Sequence, residues 1–325
     1  MRLIAMLTVI VAVTSHVAAV HAQTSSDAAL APVSGGHSLR SDAALPDSLR
    51  QANTFRLWSG RAPGATSDSA AETPTLTWFD PSVGSNGTAV IILPGGGYVD
   101  LAGVLEGTEP AAWFTMRGVT VFVLQYRVGA DALLPTPLLD GARAVRFVRA
   151  HAVAFHVNAD RIGMMGFSAG GHLAAMTALQ ATPGNAKATD PVERVSSRPD
   201  FIILAYPWLE ATQTTNGHSP YCDLVIQEAH VPCHPQNYIR LTPRLYVTSN
   251  APPTFLYLTT DDDQVTPAGS LRFYEALSKR RVDVEMHIFA HGRHASVLGG
   301  TDPSLSLWPH LLQEWMRRRG LLPTP

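Results

Sequence analysis

Gly166-Phe167-Ser168-Ala169-Gly170-Gly171 decides how this chain is read. It has the form Gly-x-Ser-x-Gly and sits where a strand should end and a helix begin. Upstream, residues 161–167 form the short apolar run of a fully buried strand. Downstream, residues 169–179 are small and apolar, as in a helix packed closely against its neighbours. A serine at such a junction is held in a tight, strained turn that lifts its hydroxyl off the sheet edge. The flanking glycines are needed because a β-carbon there would collide with the adjoining strand or helix. The N–H of Ala169, at the start of the helix, can face an oxyanion. This context favours a nucleophilic serine over a mere tight turn.

The pattern around the turn repeats it. Buried-strand runs appear at Ala89-Val90-Ile91-Ile92-Leu93, at residues 119–124, at Phe201-Ile202-Ile203-Leu204-Ala205-Tyr206, at residues 254–258 and at 284–289. Helical spacing appears between them, at residues 109–116, 138–155, 268–280 and 304–318. Phe55-Arg56-Leu57-Trp58 and Leu76-Thr77-Trp78-Phe79 alternate like edge strands. Strands alternating with helices predict an α/β fold: a mostly parallel, twisted sheet with helices on both faces. Residues 207–253 break the rhythm with several prolines, both cysteines and Trp208. They read as a small cap insertion over the C-terminal ends of the strands, where ligands of such sheets bind.

At 325 residues the chain is long enough for one large domain with a full core. Its formal net charge of −2 gives no field to attract nucleic acid or an anionic membrane. Residues 1–22 begin Met1-Arg2, continue as an apolar run and end in Val20-His21-Ala22. They read as a cleaved secretory signal, so a secreted or periplasmic location without membrane attachment is expected. No cysteine follows the apolar run, so a lipid anchor is not indicated. Residues 23–53, in which Ser-Asp-Ala-Ala-Leu occurs twice, read as a flexible linker before a domain at 54–325. Cys222 and Cys233 suit a disulfide in an exported protein better than a metal site or free thiols.

A serine hydroxyl needs a base within hydrogen-bond reach, and the base needs an orienting acceptor. On this kind of sheet both come later, acid first, each on a loop after a strand. One such loop carries Asp261, Asp262 and Asp263, and the acid is open among them. The other carries His291 and His294. His294 is the expected base because Gly292 lets the loop turn ahead of it, with His291 as the competitor. His172, on the helix after the serine, reads as a packing residue or one beneath the site. A second oxyanion donor should follow an early strand. Gly95-Gly96-Gly97 follows the run ending at Leu93, so Gly97, then Gly96, joins Ala169 in that role. Tyr98 and Trp208 are expected to line a substrate pocket, with ordinary packing as the alternative. No metal-ligand spacing and no Gly-x-Gly-x-x-Gly at a strand–helix junction occur, so no metal or nucleotide cofactor is expected.

Leu93-Pro94-Gly95-Gly96-Gly97-Tyr98, Glu106-Gly107, Gln125-Tyr126-Arg127, Asp140 with residues 143–146, residues 160–174 and the Asp and His loops resemble bacterial α/β-hydrolase esterases of the acetylxylan and feruloyl esterase kind. The resemblance covers roughly residues 55–320 and implies the α/β-hydrolase fold. Those relatives tend to show Asp-Asp-x-x-Val-Pro. Laid on this chain, the second Asp falls on Asp262 with Val265 matching, although Thr266 intervenes before Pro267. They also tend to carry Gly-Gly-His at the base, where this chain has Gly292-Arg293-His294. The implied activity is hydrolysis of acetyl or feruloyl esters on plant cell-wall polysaccharides by Ser168, His294 and Asp262. The alternatives are a general short-chain carboxylesterase or lipase, and a catalytically inactive carbohydrate-binding or interaction protein.

Overall fold

The computed structural model describes residues 53–81, 83–129, 134–210 and 239–324. The signal reading at 1–22, nearly all of the linker, both cysteines and the centre of the expected insertion lie outside the described residues.

Eight strands form one sheet: β1 (Thr54–Arg56), β2 (Thr75–Phe79), β3 (Ala89–Leu93), β4 (Thr120–Gln125), β5 (Ile162–Phe167), β6 (Phe201–Ala205), β7 (Thr254–Thr259) and β8 (Val284–Phe289). Their spatial order is β1-β2-β4-β3-β5-β6-β7-β8. β1 and β2 join antiparallel at one edge, and every pairing from β4 to β8 is parallel. The described residues form five α-helices, α1 (Glu109–Thr115), α2 (Thr136–Ala150), α3 (Ser168–Leu179), α4 (Ala268–Lys279) and α5 (Trp308–Arg318).

The continuous apolar runs have a direct cause. A parallel strand covered on both faces has no side to leave polar, and all five residues of β3 and all six of β5 are buried. Alternate side chains then fill two cores. On one face Ile91, Phe122, Met164, Leu204 and Leu256 pack with Val145 of α2, Leu173 of α3 and Phe273 of α4. On the other Ile92, Val121, Met165, Ile203 and Phe255 pack with Phe114 of α1 and with Trp308, Leu312 and Trp315 of α5.

Some expected boundaries move. The first edge strand stops at Arg56, and α2 runs over 136–150 and then turns, short of residue 155. The last helix begins at Trp308, after a 3-10 turn at Leu305–Leu307. A π-helical turn, Gly103–Thr108, leads into α1 and was not expected. Where the chain leaves the expected insertion, the 3-10 turns Ile239–Leu241 and Pro243–Tyr246 lie against the body of the fold. Buried Glu210 ties the two flanks together, 3.2 Å from Arg244 and 3.0 Å from Arg272 of α4.

Two registers set the loops at the C-terminal rim of the sheet. Leu93 pairs with Gly166, so the chain leaves β3 and β5 side by side at their C-terminal ends. Thr259 pairs with Phe289, so the aspartate loop and the histidine loop also leave side by side. Between β3 and its neighbours the strand order reverses direction, the place where open α/β sheets form their ligand crevices.

Candidate active site

The turn at Ser168 is built by close approach. A β-carbon on Gly166 would stand 2.2 Å from the carbonyl oxygen of Gly170, and one on Gly170 would stand 2.1 Å from that of Leu93. Only glycine lets α3 start this near β3. Ser168 itself has φ of +49°, a left-handed conformation that costs a non-glycine residue about 1–3 kcal/mol. The packed strand and helix hold it there, and the Ser168 carbonyl accepts a hydrogen bond from the Trp208 N–H at 3.1 Å.

The two loops from β7 and β8 meet this turn. His294 Nε2 lies 2.9 Å from Ser168 Oγ, and His294 Nδ1 lies 2.8 Å from Asp262 Oδ2. The other oxygen of Asp262 accepts the N–H groups of Gln264 and Val265, each at 2.8 Å. Asp262 thus faces three donors. Its acceptance of the Nδ1 proton leaves Nε2 bare to accept from the serine hydroxyl. The side chains of both partners are buried, which shields their contact from water.

The three neighbouring aspartates are sorted by direction. Asp261 turns outward to exposed His291 at 2.9 Å and accepts the Gly292 N–H at 2.7 Å. These bonds hold the Asp261 carboxyl below its ordinary pKa, the His291 contact contributing most. Asp263 accepts the backbone N–H of His294 at 3.2 Å. All three therefore brace the histidine loop, and Asp262 alone of them reaches the His294 ring.

Across from this run, the turn after β3 carries Gly96 at φ +131° and Gly97 at φ +64°. A β-carbon on Gly96 would fall 2.0 Å from the carbonyl oxygen of Asp100. Among the described residues, the N–H groups of Gly96 and Gly97 donate to no protein acceptor. The N–H of Ala169 is one of those at the head of α3 that have no partner inside the helix. The glycine turn follows β3 where it runs beside β5, and the positive end of α3 begins at the serine itself.

Tyr98 and Trp208, expected to line a pocket, are both buried. Their rings pack around His172, with centroids 5.7 and 6.3 Å from it. His172 is buried as well. Its Nε2 donates to the Leu241 carbonyl at 2.7 Å, so its Nδ1 accepts the Tyr98 hydroxyl at 2.6 Å. Burial lowers its pKa to about 4, leaving it neutral. His172 therefore braces the glycine turn and the exit of the insertion from beneath.

Glu106 enters the sequence reading only with Gly107 as part of the resemblance, and neither it nor Tyr206 was given a role there. Glu106 lies in the π-helical turn and is 2% exposed. It accepts the Gly95 N–H at 2.6 Å and the Tyr206 hydroxyl at 2.9 Å. The available signals were the Glu106-Gly107 pair of the resemblance and a lone acid in the mainly apolar stretch Leu101–Gly107. Among the described residues, no group of three or more His, Cys, Asp or Glu side chains is placed to hold a metal ion. None of the described helices is long and apolar enough to cross a membrane.

The sheet, its two helical layers and the Gly-x-Ser-x-Gly turn make this chain an α/β-hydrolase. It belongs to the BD-FAE family, whose model matches residues 78–277. It is 30% identical over 239 residues to endo-1,4-beta-xylanase B of Butyrivibrio fibrisolvens, covering 71% of this chain and 36% of that protein. It is 26% identical over 217 residues to an acetylxylan esterase of Xylanibacter ruminicola, covering 66% of this chain and 42% of that protein. The chain thus spans less than half the length of either relative. The crystal structure of an acetyl ester-xyloside bifunctional hydrolase from Caldicellulosiruptor lactoaceticus superposes with a TM-score of 0.75 at 35% identity, covering 83% of this chain and 97% of that one.

Proposed function

We propose that this chain is a serine esterase that removes acetyl or feruloyl groups from plant cell-wall polysaccharides. The observation that carries the reading is the hydrogen-bonded run Asp262–His294–Ser168 beside unpaired N–H groups. His294 Nε2 takes the Ser168 proton as Oγ bonds to the ester carbonyl carbon. The carbonyl oxygen becomes an oxyanion held by the N–H groups of Ala169 and Gly97, with Gly96 beside them. Losing one such donor costs about 3–4 kcal/mol of transition-state stabilisation in comparable sites. The ester C–O bond then breaks, and the sugar alcohol leaves with the proton from His294. Water attacks the acyl-serine, His294 takes its proton and returns it to Oγ, and the free acid departs. Asp262 keeps the imidazole in the tautomer that both steps need.

The polysaccharide substrate is supported by the family and by the xylan-related relatives. Export is supported by the character of residues 1–22. The test is release of acetate and ferulate from acetylated and feruloylated xylan, with Ser168→Ala alongside. The wild type is expected to release one or both acids and to label with a fluorophosphonate probe. The variant should do neither, losing about 10³-fold or more in kcat. Turnover of short p-nitrophenyl esters with no release from xylan would favour a general carboxylesterase.

A further inference from the structure

Glu106 lies outside the three-residue run, yet it touches both sides of the site. One carboxylate oxygen accepts the N–H of Gly95, the residue before the Gly96-Gly97 turn. The other accepts the hydroxyl of Tyr206. The Tyr206 ring stands edge-on to the His294 imidazole, with centroids 5.0 Å apart at 68°. Tyr206 has φ of +36°, a strained conformation that turns the chain after β6 toward the base. A β-carbon placed on Gly95 would meet Glu106 Oε2 at 2.7 Å and Ser168 Cβ at 3.0 Å. The carboxylate, the glycine turn and the serine therefore crowd one spot. The π-helical turn is what presents the acid there, and such turns recur at functional sites.

The chemistry of the contacts favours the ionised acid. Both partners donate to it, one at each carboxylate oxygen, and hydrogen bonds donated to a carboxylate favour its charged form. Burial is the largest influence and raises its pKa above the ordinary carboxylate value, against the downward pull of the Gly95 and Tyr206 bonds and the nearby His294 ring. The His294 ring also faces Asp262 at Nδ1, and its backbone N–H faces Asp263. His291 and Arg293 share its loop. Tyr126, whose hydroxyl donates to the Pro94 carbonyl at 2.6 Å, lies within the field of Glu106.

We propose that Glu106 is a positioning residue for acyl transfer at Ser168. It fixes the glycine turn through the Gly95 N–H, and it sets a negative charge behind Tyr206 that favours the imidazolium formed at His294. This rests on the serine-esterase reading. Glu106→Gln keeps the volume and removes the charge. With p-nitrophenyl acetate its kcat should fall about 10- to 100-fold, the scale of a small misplacement in an active site, with KM within about three-fold. Removing a nearby negative charge makes an imidazole easier to deprotonate. The acid limb of kcat/KM should therefore move to lower pH by roughly half a unit.

A purely structural role would lower the melting temperature and leave that limb in place, and a folded E106Q with an unmoved limb overturns the proposal. If E106Q is not recovered folded, Tyr206→Phe decides, because it keeps the ring and its packing and deletes only the hydroxyl. A several-fold loss of kcat at unchanged KM supports the link, and wild-type kcat overturns it. Ser168→Ala runs in parallel. If it stays active the esterase reading itself fails, whereas an inert S168A beside an unmoved E106Q limb removes the role of Glu106 alone.

Discussion

At the scale of single residues, the site turns on which way adjacent side chains face. Asp261 and Asp262 have the same chemistry and sit one position apart, yet one reaches an exposed histidine and the other the buried His294 ring. An exposed ion pair contributes little, so Asp261→Asn should keep kcat within about three-fold. Asp262→Asn presents an amide where Nδ1–H needs an acceptor and favours the wrong tautomer. It should lose about 10³- to 10⁴-fold in kcat with KM little changed. Steady-state kinetics on the two variants check this, and equal losses would reassign the acid.

At the scale of elements, each group is delivered by the end of a strand. β3 leads into the glycine turn, β5 into Ser168, β7 into Asp262 and β8 into His294, all at the C-terminal rim of the sheet. The elements are in turn tied beneath the site by His172 on α3, which bonds to Tyr98 after β3 and to Leu241 at the exit of the insertion. This tie makes stability depend on pH. In the unfolded chain a histidine binds its proton near pH 6.5, but folded His172 resists it until about pH 4. The depressed value means the folded state gives no proton site between those values while the unfolded state does. Stability from this group is therefore full above pH 6.5 and declines as the pH falls toward 4. By pH 5 the loss should reach about 2 kcal/mol. Urea unfolding at pH 7 and pH 5 measures it. His172→Gln, which can still donate and accept, should be less stable at pH 7 and lose markedly less between the two pH values. Equal losses in both proteins would show that another group is responsible.

At the scale of the whole molecule, two helical layers bury the sheet on both faces, and the candidate site lies at its C-terminal rim. Export is the prediction that belongs here. Expressed in a bacterium with residues 1–22 in place, the chain should reach the periplasm or medium. Its mature N-terminus should lie at or near Gln23, read by intact mass. Retention of the full-length chain in the cytoplasm would reject the signal reading.

Much of this protein was legible along the chain because its causes are local. Strands buried on both faces must be apolar throughout, so β3, β5, β6 and β7 announce themselves. The crowding at Ser168 demands glycine within two residues on either side, so the turn is written in one short motif. Three features were not legible, for a common reason. The separate directions of Asp261, Asp262 and Asp263 depend on how the loop after β7 lies against the loop after β8, a matter of register between segments about 30 residues apart. The burial of Tyr98 and Trp208 depends on His172 and Leu241 meeting them from other elements. Glu106 belongs to the resemblance, but nothing along the chain assigns it a partner until the π-helical turn places it between Gly95 and Tyr206. Sequence alone determined which segments form the sheet and where its Gly-x-Ser-x-Gly turn falls, because sterics and burial act there over a few residues. Only the tertiary structure decided which side chains face that turn, because orientation is set by contacts between segments far apart in the chain.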